Sequence, residues 1–382
     1  QWESWSFALK VLSQLDARTR RLGTGGHYDR AWARTIGDPR VVIAVLDSGI
    51  EWEQRDLVNK LFLNAGELPP PDDACQKPPN RGEGKRLYDA NGDGVFNVQD
   101  YTTATGHQQP DIARACDPRV SDANRNGIVD PQDLIAAFSD KKDDDHNGYA
   151  DDISGWDFFR NDNDPLDDTR YGHGTGEARD SSAEADNGIS EAGVCPRCRV
   201  MPLRVGDSFV ADANDFALAA SYAVDSGAAV IQEALGTIDN TPLSRWAIDY
   251  AYDNHVTVIA SAADENSFHH NFPGTNNHTI YVHSISFNAE KLSEATHAFA
   301  FSNCTNYGAQ LLLSVPGEAC SSEATGRSAG MAGLLYSAAL AANLPAPDRL
   351  HPPGADPAPA GDAGAASARV RRLTAEEIRQ LM

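Results

Sequence analysis

Three short segments carry the residue types of a hydrolase that uses a serine nucleophile. Asp47 begins an Asp-Ser-Gly sequence, His173 lies in a Gly-His-Gly-Thr sequence, and Ser328 follows Gly-Arg before a run of small residues. Such catalysis needs a hydroxyl that attacks, a base that takes its proton and a group that orients the base. The three residues supply these types, and the fold rather than sequence adjacency must bring them together.

Two acidic segments match the twelve-residue EF-hand calcium loop. This loop has oxygen ligands at positions 1, 3, 5, 7, 9 and 12 and a glycine at position 6, with a backbone carbonyl at position 7. Both segments keep this spacing and end in Asp rather than Glu, and acidic turns without an ion remain the alternative. The predicted ligands are Asp89, Asn91, Asp93, Val95, Asn97, Asp100, Asp122, Asn124, Asn126, Ile128, Asp130 and Asp133.

A third segment matches the same loop in part. It lacks an acidic residue at position 12, where Ser154 stands. Oxygen-only ligands favour calcium over zinc, and the many flexible carboxylates disfavour magnesium. We therefore predict Ca²⁺ as the cofactor, with the third set of ligands Asp143, Asp145, Asn147, Tyr149 and Asp151.

The elements that must position these residues alternate between strand and helix. Apolar β-rich runs predict strands at 41–46, 199–205, 228–236, 256–263, 278–285 and 310–315. Amphipathic or small-residue runs predict helices at 214–227, 243–254 and 328–342. Buried strands separated by helices indicate a doubly wound, mostly parallel α/β sheet. Site residues in such folds cluster at the carboxyl ends of strands, where Asp47 stands.

Composition restricts the function further. The chain has 32 basic and 55 acidic residues, a net charge of −23, which argues against binding nucleic acid through its phosphates. No apolar run is long enough for a transmembrane helix. The chain starts at Gln1 with neither an initiator Met nor a signal-peptide pattern, as expected if its N-terminus is processed or trimmed.

Six cysteines in an apparently extracellular chain indicate disulfides. Fifteen pairings are possible, and proximity in sequence favours Cys75–Cys116, Cys195–Cys198 and Cys304–Cys320. A redox-active pair or half of a zinc site are the alternatives for Cys195 and Cys198. No second CxxC sequence accompanies them, so we expect a structural bridge.

The sequences AVLDSGI and YGHGT, with the strand and helix order that follows them, resemble the subtilisin-like (S8) serine proteases. The resemblance covers about 28–64 and 143–342 and the final helix. It implies a three-layer α/β fold in which Asp47 orients His173, His173 is the general base and Ser328 is the nucleophile. It also implies that Ala234, Leu235 and Gly236 line the substrate, and Gln232 and Glu233 on that strand would favour basic side chains.

One departure from the family pattern concerns the oxyanion. Asp264 stands where the family has an Asn whose amide donates to the oxyanion, and an ionised carboxylate cannot donate. Two hypotheses follow: an active endopeptidase, in which a protonated Asp264 could donate, or a pseudoprotease kept as a binding or assembly module. Arg327 beside Ser328 and the absence of a nearby proline also depart from the family.

The predicted organisation has five parts. Residues 1–64 begin the subtilisin-like domain, 65–142 form a calcium-binding insertion, and 143–343 complete the domain. A Pro/Ala/Gly-rich linker at 344–371 then leads to a helix at 372–382, with Thr374 as its N-cap.

The expected partners are protein or peptide substrates, outside the cell or in the periplasm. The two complete loops also resemble those of dockerin modules, which suggests a cohesin-like partner. Their position between the Asp and His segments favours ion-dependent stabilisation instead. The family continues past its final helix, so we expect an additional C-terminal chain or domain.

Overall fold

A computed structural model describes residues 26–77, 87–208, 211–237, 239–287, 299–301, 304–317, 319–345, 347 and 372–382. A single sheet forms its centre. Its strands are β1 Val42–Asp47, β2 Trp156–Asp157, β3 Arg199–Arg204, β4 Val230–Glu233, β5 Thr257–Ser261, β6 Thr279–Phe287, β7 Phe299–Phe301 and β8 Leu313–Pro316. The order is β2-β3-β1-β4-β5-β6-β7, with β8 also paired to β6.

All strand pairs are parallel except β6 with β7. The helices are α1 Tyr28–Trp32, α2 Pro131–Phe138, α3 His173–Ser182, α4 Ala213–Asp225, α5 Pro242–Asp253, α6 Cys320–Ala341 and α7 Ala375–Leu381. The predicted doubly wound, mostly parallel α/β fold is confirmed. Among the described residues, no helix is both long and apolar enough to span a bilayer.

Strand β1 is buried along its whole length because helices cover both faces of the sheet. Its alternate side chains enter different cores: Ile43 and Val45 pack with residues of α6, whereas Ala44 and Leu46 pack with residues of α4 and α5. A strand buried on both faces reads as a continuous apolar run, which is the pattern of this segment.

A third apolar cluster lies beneath the acidic loops and includes Val98, Tyr101 and Leu134. The Cys75–Cys116 disulfide crosslinks this region. The other cysteines pair as Cys195–Cys198 and Cys304–Cys320, in the arrangement expected from proximity.

Helix α6 differs from its prediction. It begins at Cys320, well before the expected start at 328. The polar segment 320–327 lacks an apolar face, but it packs inside the molecule, so tertiary burial rather than periodicity determines this part of the helix. Helix α7 is capped by Thr374, whose hydroxyl accepts from the backbone N–H of Glu377. Of the predicted linker at 344–371, only residues 344, 345 and 347 belong to the described part of the chain.

Candidate functional site

Asp47 and His173 meet at the carboxyl edge of the sheet. Asp47 is the last residue of β1 and His173 the first of α3. His173 Nδ1 is 2.8 Å from Asp47 Oδ1. The approach depends on Gly174, since a Cβ there would lie 2.4 Å from the carbonyl oxygen of Gly49. The carboxyl group thus holds the Nδ1 edge of the imidazole, as an orienting group does.

The serine against this histidine is Ser322. Its Oγ is 3.0 Å from His173 Nε2. A carboxylate only accepts hydrogen bonds, so Asp47 fixes the proton on Nδ1 and leaves Nε2 to accept from the serine hydroxyl. Ser322 is in the first turn of α6, where backbone N–H groups have no carbonyl partner inside the helix. The pair therefore lies beside the positive end of a helix.

Ser328, the serine predicted from sequence, is not at this position. It lies more than a turn further along α6 with 0% of its surface exposed. Its Oγ donates to the carbonyl oxygen of Ala324 at 2.7 Å. The prediction that Ser328 contacts His173 is wrong because it rested on a helix starting at residue 328. The earlier start places Ser322 at the helix terminus and turns Ser328 into the interior.

Asp264 lies just after β5, at the same helix terminus. Its Oδ1 accepts from both the backbone N–H and the hydroxyl of Ser321, at 2.9 and 2.6 Å. The preceding Ala263 has a left-handed φ of 62°. A negative charge at a helix N-terminus is favourable. The same charge lies next to Ser322, where chemistry at its hydroxyl would develop a second negative charge.

The end of β4 also lies close to Ser322. The carbonyl oxygen of Ala234 is 3.5 Å from Ser322 Oγ. Leu235 is 2% exposed, and Gly236 leaves open space towards Asn271, whose amide would be 3.9 Å from an added Cβ. The three residues predicted to line the substrate thus continue the strand that reaches Ser322.

Gln232 and Glu233 cannot act as expected. Both are 0% exposed. Gln232 Nε2 donates to the carboxylate of Glu177 at 2.9 Å, and both carboxyl oxygens of Glu233 are buried without a partner in the described part of the chain. Neither side chain reaches the surface, so the expected preference for basic side chains at this strand is not supported by them.

Several carboxyl groups change the electrostatics of the site. Burial opposes the charged imidazole, but the neighbouring Asp47, and then Asp264 and Asp180, raise the pKa of His173 above its ordinary value. Burial, with nearby carboxylates, raises the pKa of Glu177 well above its usual range. Burial and the charge of Asp47 do the same to the pKa of Glu233. The raised pKa values of these carboxyl groups could not be predicted from the sequence, because their burial arises only from packing.

A signal for Ser322 does exist in the sequence. A nucleophile at a helix N-terminus should follow the preceding strand closely, and β8 ends at Pro316. Ser321 and Ser322 are the first serines within the described helix after that strand. Ser328 lies more than one turn further along the same helix.

The three acidic segments share one backbone geometry. Position 6 is a glycine with positive φ in each: 89° at Gly94, 85° at Gly127 and 97° at Gly148. In each loop the N–H of this glycine donates to the carboxylate at position 1. The position-5 side chain accepts from the N–H of position 7 in all three. These turns direct side-chain oxygens inwards, and the oxygen-only donor set fits Ca²⁺.

The acidic and amide side chains at the ends of the first two loops make hydrogen bonds within their own loops. Asp100 and Asp133 fold back and accept from backbone N–H groups at the start of their loops, at 3.1 and 2.7 Å. Asp130 accepts from the side-chain amides of Asn124 and Asn126. Asn97 instead accepts from the N–H of Gln99 as the cap of a short 3₁₀ helix.

The third loop corrects one predicted ligand. Both oxygens of Asp151 accept from backbone N–H groups outside the loop, those of Asp140 and Lys141, so it faces away. Asp152 faces the loop instead and accepts from Asn147 at 2.9 Å. Glu67, which no local motif could indicate, has a carboxylate oxygen within 4.8 Å of those of Asp143 and Asp145.

Comparisons with known proteins identify the family of this chain and several relatives. The model of the subtilase family, peptidase S8, matches residues 38–343. Thermitase of Thermoactinomyces vulgaris is 32% identical over 198 residues, covering 48% of this chain and 67% of thermitase. Thermophilic serine proteinase of Bacillus sp. (strain AK1) is 37% identical over 116 residues, 30% of this chain and 28% of that protein. The solved structure of S41 psychrophilic protease is 19% identical, with a TM-score of 0.49 and coverage of 80% of this chain and 79% of that one. This chain belongs to the subtilase family, the subtilisin-like serine peptidases.

Proposed function

We propose that the protein is a secreted, calcium-binding serine endopeptidase whose nucleophile is Ser322. One observation carries the proposal: a continuous line of hydrogen-bonding contacts from Asp47 through His173 to Ser322. A nucleophile, a base and an orienting group within hydrogen-bond distance are what acyl transfer requires. The three disulfides support the extracellular location, because disulfides persist in oxidising compartments.

In this mechanism His173 takes the proton of Ser322 as its Oγ attacks the scissile carbonyl. Asp47 holds the tautomer with the proton on Nδ1 and stabilises the imidazolium that forms. His173 then protonates the leaving amine, and water releases the acyl group through the same base. Because the base must start neutral, its raised pKa places the acid limit of activity above the usual pH for an imidazole.

Stabilisation of the oxyanion is the weak step. The backbone N–H of Ser322, in the first turn of α6, is one donor available to a developing oxyanion. A charged Asp264 supplies no second donor, although a protonated Asp264 would. This carboxylate is the observation that favours the alternative function, a catalytically impaired member of the family that serves as a binding or assembly module.

We further propose that the acidic loops bind Ca²⁺ and stabilise the folded domain. Support comes from the three repeated turns and their inward oxygens. The ligand sets are those predicted from sequence, except that Asp152 replaces Asp151 and Glu67 joins the third set. Bound Ca²⁺ would supply positive charge that offsets the repulsion among these carboxylates, and binding only to the folded state would raise its stability.

A fluorophosphonate probe tests the serine assignment. Calcium-loaded wild-type protein, titrated with the probe from pH 4 to 9, should be labelled at Ser322 once the pH exceeds the raised pKa of His173, and peptide mapping should locate the adduct. Ser322→Ala should abolish labelling, whereas Ser328→Ala, a matched change on the same helix, should keep it. Folded wild-type protein that resists the probe at every pH would support the impaired alternative.

A further inference from the structure

A cavity of about 270 Å³ lies beside the catalytic pair. Its walls come from α3, α6 and the loop 190–194. The charged side chains among them are Arg179, Asp180, Glu191, Glu323 and Arg327. None of the residues of β4 or of the loop after β5 contributes to the lining.

The position of the cavity relates it to one side of a bound peptide. Glu323 directly follows Ser322, and Gly176 lies one turn beyond His173 on α3. At the end of β4, the carbonyl oxygen of Ala234 is 3.5 Å from Ser322 Oγ, and Ala234 does not line the cavity. If the end of β4 lines the acyl side of a substrate in the proposed enzyme, the cavity between α3 and α6 lies on the side of the leaving group.

The charges in the walls are unequally matched. Arg327 forms an ion pair with Glu323 one turn before it on α6. Arg179 is held by the hydroxyl of Ser190 and lies 3.6 Å from a carboxylate oxygen of Asp56. Both cations therefore have partners on their own side of the cavity.

Asp180 has no such partner. In the described part of the chain its carboxyl group makes no side-chain hydrogen bond or ion pair. Burial raises the pKa of Asp180 to about 7. The charges of Glu323 and Glu191 act in the same direction, and those of Arg327 and Arg179 oppose them. Asp180 is partly exposed, and a cation beside its carboxyl group would offset the cost of partly burying its charge.

We infer that this cavity binds a basic side chain, Lys or Arg, of the peptide on the leaving-group side of the scissile bond, and that Asp180 determines this preference. The inference rests on the proposed peptidase function. The cavity has the room for one extended side chain, and its unmatched charge is negative. Asp180 is thus a specificity-determining residue and takes no part in bond cleavage.

Quenched peptides provide the test. They share one acyl-side sequence and carry Lys, norleucine or Glu at the two positions after the scissile bond. At pH 8 we expect wild-type kcat/KM to be about tenfold higher with Lys than with norleucine, the scale of a partly desolvated charge pair. Asp180→Asn should bring this ratio near one, whereas Asp253→Asn, a change at an exposed carboxylate of α5, should leave it unchanged.

Two further measurements separate the inference from the proposed function. A chromogenic anilide, which has no residue after the scissile bond, should be hydrolysed at the same rate by wild type and Asp180→Asn at pH 8, above the acid limb. Fluorescence anisotropy with Ser322→Ala should give a lower Kd for the Lys peptide than for norleucine, and Asp180→Asn in that background should remove the difference.

The outcomes are distinct. Cleavage without a Lys preference overturns the inference and leaves the peptidase function standing. If wild type neither cleaves nor reacts with the probe, the peptidase function fails and the Kd ratio in Ser322→Ala alone decides the inference. A preference for Glu in either assay would show that the arginines dominate the cavity and would overturn it.

Discussion

Replacement of Asp264 by Asn should increase peptidase activity. The carboxylate accepts two hydrogen bonds from Ser321, at 2.9 and 2.6 Å. The Asn carbonyl can keep this role while its amide gives the site a donor in place of a charge. A second oxyanion donor is worth about 2.7–4 kcal/mol. Loss of a charged acceptor at Ser321 costs about 1 kcal/mol. The net effect of about 1.7–3 kcal/mol is a gain of roughly 20- to 160-fold in kcat at pH 8.

The assay is amide hydrolysis under saturating substrate from pH 5 to 9. Asp264→Ala removes the charge without adding a donor, and Ser321→Ala removes one hydrogen bond while keeping the carboxylate. Only the Asn variant should show the full gain. A rate for Asp264→Asn equal to that of Asp264→Ala, or below wild type at every pH, would refute a role for this position in oxyanion stabilisation.

Three other perturbations follow from the same structure. Because the charge of Asp180 helps to raise the pKa of His173, Asp180→Asn should shift the acid limb of kcat/KM on the anilide to lower pH; an unchanged limb would exclude this coupling. Chelation by EDTA should lower the melting temperature, since each site at 100 times its Kd adds about 2.7 kcal/mol of stability, and an unchanged melting curve would count against Ca²⁺ binding. Glu233 is buried and its pKa is raised, so its carboxyl group is protonated in the folded protein at pH values where it is ionised in the unfolded chain. Folding at those pH values therefore takes up a proton. Its stabilising effect is complete at low pH and declines by about 1.4 kcal/mol per pH unit towards the folded pKa. Glu233→Met should therefore raise stability to urea more at pH 8 than at pH 4.5, and an equal change at both would contradict a raised pKa.

Local sequence was sufficient for the sheet and for two residues of the site. The apolar run ending at Asp47 reads as a buried strand, and the structure has β1 there. Gly172, with a φ of 77°, is the N-cap of α3 and directly precedes His173. The calcium-loop spacing predicted glycines with positive φ at the sharp turns, as found at Gly94 and Gly127. These features are local because a few adjacent residues set the backbone conformation.

Contacts between distant segments decided the remainder. The nucleophile assignment depended on where α6 begins, and its polar first turns are helical because they pack inside the molecule and not because of periodicity. Glu67 meets Asp145 across the third loop, a contact with no sequence signal. Asp180 becomes an unmatched charge only where α3, α6 and the loop 190–194 enclose it. The sequence by itself determined which chemistry the chain could carry, since residue type and local turns suffice for that. Only the tertiary structure decided which serine and which carboxylates carry it, because burial and partners depend on packing between segments far apart in the chain.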